Sequence, residues 1–223
     1  MNTKQNKQWM AVMAAGVLAL TLGAGRAYAD AVPTNNSDSL SIQITPSVDF
    51  GVDLTTSGAV MESGTGLSVT AGLNTSQFLS DAATMALLGD FNNQEVSVSA
   101  VGLDTWTVDT DETGSADQVI VYALFSTTSK SARPTSTEFL EGTALHQVTG
   151  TAKFAGEPSG AENNGGGDNS FEHYAMSASA DMDNLVLSAE RSLWLQLDMP
   201  TSTTVTADQR IQITLSADTG VDN

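Results

Sequence analysis

Ser192-Leu-Trp-Leu-Gln-Leu-Asp198 and Ile211-Gln-Ile-Thr-Leu-Ser-Ala217 are the stretches whose reading decides the fold. In the first, Leu193, Leu195 and Leu197 alternate with Trp194 and Gln196. In the second, Ile211, Ile213 and Leu215 alternate with Gln212 and Thr214. A period of two puts one row of side chains toward a core and the other toward water, the signature of a half-buried β-strand. The same pattern recurs at Leu40, Ile42 and Ile44, and at Val96, Val98 and Ala100. Several such segments joined by Gly, Asn, Asp and Ser turns predict an all-β chain, an antiparallel β-sandwich.

Two stretches depart from this rhythm. Val119-Ile-Val-Tyr-Ala-Leu-Phe125 is apolar on both faces, which marks a strand covered on both sides. Its cover is either a loop or helix of the same chain or the face of another subunit. Ser80-Asp-Ala-Ala-Thr-Met-Ala-Leu-Leu-Gly89 reads as one short helix, with Ser80 as N-cap and Gly89 as the stop. Residues 155–170, rich in Gly and Asn, read as a long loop with almost nothing to bury. The loop lies inside a single domain spanning 30–223.

Residues 1–29 read as a secretory signal peptide. Lys4 and Lys7 precede an apolar run from Trp9 to Leu22, and Ala27-Tyr-Ala29 forms a small-x-small end. The spacing predicts cleavage after Ala29, with Ala31 the second choice, and places the product in the periplasm, at the cell surface or outside the cell. The run is shorter than the roughly twenty residues of a membrane-spanning helix, and no second one follows. Two Trp and two Tyr beyond residue 29 cannot furnish the girdles of a transmembrane barrel.

Charge narrows the partners. The chain holds 26 acids against 8 bases, a net charge of −18. Losing residues 1–29 removes Lys4, Lys7 and Arg26 and no acid, so five bases face 26 acids and the net becomes −21. Such a chain repels nucleic acid and anionic lipid headgroups. With no cysteine it has no disulfide, thiolate metal site or cysteine nucleophile.

The search for chemistry yields few candidates. Asp109, Asp111 and Asp117 stand at positions 1, 3 and 9 of a calcium-loop spacing with Gly114 at position 6. Ile120 occupies position 12, where a bidentate Glu belongs, so an acidic hairpin tip is the simpler account. Trp106 and Trp194 are candidates for stacking on a sugar ring; Trp194, alternating with leucines, is either exposed or part of a second covered surface. Tyr122 is paired with it as a candidate ligand or interface residue. His146 and His173 show no metal spacing, and there is no Gly-x-Ser-x-Gly elbow, P-loop or dinucleotide fingerprint. No catalytic residue and no required cofactor emerge, with calcium left as an option.

The segment from Arg191 to Ala217, with Leu193-Trp194, Pro200-Thr-Ser-Thr-Thr204 and the final alternating strand, resembles the ending of a set of uncharacterised secreted bacterial proteins. Val48-Asp-Phe-Gly51, Trp106 and Tyr122-Ala-Leu-Phe125 are similar to the same set's other landmarks. The resemblance implies an immunoglobulin-like β-sandwich of the cell envelope and supplies no activity. A looser similarity is to pilus-type subunits, with residues 38–54 as a strand donated to a neighbour. The chain departs from them in lacking a cysteine pair and in ending Val221-Asp-Asn223. The expectation is a non-enzymatic structural subunit whose partners are itself or other envelope proteins, associating through strands 39–45, 119–125 and 209–217. The alternative is a carbohydrate-binding or calcium-stabilised adhesion module using the Trp194 face or the 109–117 loop.

Overall fold

A computed structural model describes residues 42–45, 47, 49–139, 145–156, 173–182 and 185–219. The signal-peptide reading, most of the 155–170 loop and the first half of the 39–45 strand lie outside them. The chain divides into two units, Met1–Thr45 and Pro46–Asn223. In the first, residues 42–45 are exposed and form no strand, which corrects the expectation that alternation alone makes 39–45 an edge strand. A strand needs a paired neighbour, and among the described residues these have none.

The second unit is all-β and mostly antiparallel. One sheet is built around β13 (Glu190–Asp198). One edge of β13 pairs with β6 (Ala83–Gly89) and then β5 (Ser76–Asp81), and the other with β9 (Gln118–Ser126). Beyond β6 lies β1 (Phe50–Thr55), and beyond β5 lies β2 (Val60–Met61). A small hairpin of β3 (Gly64–Thr65) and β4 (Ser68–Val69) follows β2. A second sheet centres on β7 (Gln94–Gly102), between β14 (Ile211–Thr219) and β11 (Lys153–Gly156). β12 (His173–Tyr174) joins β11 in parallel.

The main core draws on both sheets. Val96, Val98 and Ala100 of β7 are buried in one cluster with Met85 and Leu87 of β6, Val121 and Phe125 of β9, and Leu193 of β13. Half-buried Ile211, Ile213 and Leu215 of β14 complete its rim. The alternation at 96–100 and 211–215 is therefore that of strands with one face on this core, as expected, whereas at 193–197 the other face, Trp194 and Gln196, is buried as well.

The helix expected over 80–89 is not formed. β5 ends at Asp81 and β6 starts at Ala83, while the Ser80 hydroxyl donates to the Val60 carbonyl instead of capping a helix. Ala83, Met85 and Leu87 are buried and alternate with half-buried Thr84 and Ala86. β6 is paired on both edges, and that pairing outweighs the helical preference of Ala, Met and Leu. After β12 the chain makes a 3-10 turn at Ala178–Ala180.

β9 carries the doubly apolar run. Its odd residues from Val119 to Phe125 face the main core; Ile120, Tyr122 and Leu124 face a second cluster with Phe78, Phe139 and Trp194. Its far edge is closed by β8 (Thr107–Val108, parallel), β10 (Gln147–Val148) and the Met176 amide, which donates to the Phe125 carbonyl. Both faces and both edges are thus satisfied within the chain. This corrects the expectation that 119–125 meets another subunit: there is no surface left to meet.

Candidate functional site

The acidic segment is assembled from its own hydrogen bonds. Asp109 follows β8 and is 1 % exposed. Its Oδ1 accepts from the amides of Asp111 (2.8 Å) and Glu112 (2.7 Å), and its Oδ2 from that of Gly114 (3.2 Å). Gln147 Nε2 donates to the Asp109 carbonyl at 3.1 Å, tying the turn to β10. Glu112 and Gly114 take left-handed backbone angles (φ 59° and 57°), so the chain reverses tightly around this carboxylate. Asp111 accepts from the hydroxyl and amide of Thr113, bonds that hold its carboxyl below the ordinary range.

Asp117 serves a different segment. Its Oδ1 accepts from Thr203 Oγ1 (2.7 Å) and the Thr204 amide (2.8 Å), and its Oδ2 from the Thr204 hydroxyl. These bonds, the Thr204 hydroxyl first, lower its pKa. Trp106 Nε1 donates to the same Thr203 oxygen at 3.0 Å, while Gln209 Oε1 accepts from the Thr105 and Trp106 amides. Asp104 closes the connection with two bonds to the Arg210 guanidinium, which draws its carboxyl below the usual range. The structure therefore brings Asp109 and Asp111 together in one turn and turns Asp117 toward residues 203–204. Among the described residues no group of three or more His, Cys, Asp or Glu is placed to hold a metal ion. Thr203 and Thr204, which the sequence reading missed, lie 86 and 87 residues from their carboxylate, beyond any local motif.

The aromatic candidates are inside. Trp194 is 1 % exposed and Tyr122 2 %. Trp194 Nε1 donates to Ser126 Oγ at 2.9 Å, satisfying the indole's one donor. The cover is the 127–139 segment: Phe139 packs against Phe78 with ring centroids 6.1 Å apart. Arg133 stacks 4.1 Å over the Phe78 ring and reaches Glu62 at 3.6 Å. Glu138 accepts from the Thr135 amide and from Lys130 Nζ at 3.2 Å, bonds that also lower its pKa. This corrects the reading of Trp194 and Tyr122 as ligand or interface residues: they form a second covered surface, closed by their own chain. Trp106, Phe91 and Phe154 are half-buried.

What the fold leaves open is a strand edge. β14 pairs with β7 over all nine residues. The Leu103 amide donates to the Arg210 carbonyl at 2.9 Å, so the even-numbered residues exchange bonds with β7. Alternation then turns the amides and carbonyls of Ile211, Ile213, Leu215 and Ala217 to the opposite edge. No described strand pairs with that edge; β1 lies beside it, unpaired. Natural sheet edges are blunted by Lys, Pro or bulges. Ile211–Ala217 contains no charge and no proline, and its nine pairs run in unbroken register. Chemically, this edge is a row of hydrogen-bond donors and acceptors spaced for an extended chain.

No protein-family model matches the chain, and no curated protein matches it.

Proposed function

We propose that this chain is a non-enzymatic structural subunit of the cell envelope or its outer surface, built on an immunoglobulin-like β-sandwich. In this reading it is exported by residues 1–29, and copies associate by adding a strand to the outer edge of β14. The outer edge of β14, which pairs with no strand among the described residues and carries no charge from Ile211 to Ala217, is the observation that supports this. Strand addition to such an edge supplies main-chain hydrogen bonds. The two other association elements weighed on sequence are withdrawn or weakened: β9 is enclosed, and residues 42–45 form no strand.

Sedimentation velocity over a range of concentrations tests the reading, at about 0.15 M salt. The wild-type chain should assemble. Ile213→Pro removes an outward amide without touching the β7 ladder and should weaken assembly by about tenfold or more, a shift of about 1.4 kcal/mol. Ile213→Val keeps the amide and should assemble as wild type. A wild-type chain monomeric at every concentration, or an Ile213→Pro chain that assembles normally, would overturn the proposal.

A further inference from the structure

The first and last strands of the folded unit meet the rest of the chain at the same end. β1 begins at Phe50, opposite Gly89 at the close of β6, and β14 finishes at Thr219, opposite Gln94 at the opening of β7. Gly89 and Gln94 are joined by the short connection 90–93, so both points flank one turn. Hydrogen bonds fix the start of β1 there. The Asp90 amide donates to the Asp49 carbonyl at 2.9 Å, the Asp49 amide to Asp90 Oδ1 at 2.7 Å, and the Gly51 amide to Gln94 Oε1 at 3.2 Å. Fully buried Gln94 thus serves both strands: its side chain holds β1 and its backbone faces the last residue of β14. From this turn β1 runs away to Thr55, and β14 arrives from Ile211 beside Gly102.

We infer that this unit is built to be held from one end and not to carry tension between Phe50 and Thr219. A pull applied through those two points draws both strands outward from the same end. Each strand then peels from its neighbour one residue pair at a time, β1 from its six pairs with β6 and β14 from its nine with β7. A load along the strand axes, applied from opposite ends, is resisted by every pair of a ladder together. One backbone hydrogen bond contributes little net against water, so the order in which bonds are loaded decides the resistance. In an assembly such a unit passes load through its sides. Its opposite end, where 103–105 bond to 209–210, stays clear of both attachment points. The peeling geometry holds whether or not copies meet at β14.

Optical tweezers on the full chain test this through paired cysteine handles, since the chain has no cysteine of its own. Asp49→Cys with Asp218→Cys grips both strands at their shared end and keeps the backbone bonds between 49 and 90. Thr55→Cys with Asp218→Cys moves one handle to the far end of β1 and loads the strands along their axes. All three side chains are exposed. At one pulling speed the first pair should unfold at a force lower by about twofold or more, because few bonds share the load at any moment. Equal forces, or a higher force through Asp49 and Asp218, overturn the inference. Leu103→Cys with Asp218→Cys shears β14 against β7 and replaces the Thr55 variant if that one fails to fold, with the same expected ordering. The strand-edge reading is decided separately, by sedimentation of the unmodified chain.

Discussion

β9 and β14 are both nine-residue strands rich in aliphatic side chains, yet the fold treats them in opposite ways. β9 is apolar at every position from Val119 to Phe125, and the chain covers both its faces and closes both its edges. β14 alternates, so one face stays in water, and one of its edges has no strand partner among the described residues. The difference teaches that hydrophobic density points inward. The more apolar strand is the centre of the molecule, and the more modest one is where it can meet another chain. An exposed strand must keep a polar face to stay soluble, while its backbone edge remains available for recognition.

The comparison can be broken first at β9's cover. Trp194→Ala empties the middle of the second cluster and removes the indole's bond to the Ser126 hydroxyl. It should cost about 3–5 kcal/mol, read as a lower denaturant midpoint. A variant that melts normally but loses binding to a glycan would mean that the cover opens and the face is a ligand site.

Gln94 sits where the two sheets are tied together. Fully buried, it donates from Nε2 to the Leu88 and Phe91 carbonyls and accepts from the Gly51 amide. Gln94→Ala strands three backbone groups and should cost about 1–3 kcal/mol. Equilibrium unfolding checks it; no loss would mean that water replaces the amide freely.

Much of this contrast is legible in the sequence, and the illegible part has physical causes. Alternation at 96–100, 193–197 and 211–215, and its absence at 119–125, locate the strands, but 193–197 alternates and is still covered on both faces because Trp194 and Gln196 are buried too. Residues 80–89 mislead because Ala, Met and Leu favour a helix when no partner is in view. The cover over Trp194 is hidden because a lone Phe139 stands in a polar segment, and its role depends on Phe78, 61 positions earlier. Asp109 and Asp111 announce a turn, and the sequence cannot say that their oxygens satisfy amides instead of converging with Asp117 on an ion.

Acid sharpens the comparison at the β14 side. Asp104 and Asp117 hold the connection that delivers β14 to its sheet, and hydrogen bonds keep both pKa values below the ordinary carboxylate range. A depressed folded-state pKa adds stability that is complete above the unfolded value. That stability disappears as pH falls through the folded one. Melting temperature should therefore drop below about pH 4, and Asp117→Asn should soften that drop. An identical acid profile in the variant would remove Asp117 from the account.

The smallest effect lies at the rim of the cover. Arg133→Ala loses the stacking on Phe78 and should cost about 0.5–1 kcal/mol. A loss several times larger would show that the guanidinium, rather than Phe139, holds the cover in place.

Residue-resolved amide exchange in β14, followed by NMR as protein concentration is raised at moderate salt, tests the central claim most directly. The amides of Gln212, Thr214 and Ser216 bond to β7 and should be protected throughout. Those of Ile213, Leu215 and Ala217 should exchange rapidly in dilute protein and become protected as concentration rises. Outward amides that stay equally unprotected at all concentrations, or that are already protected in the monomer, would contradict the claim that this edge is where copies meet.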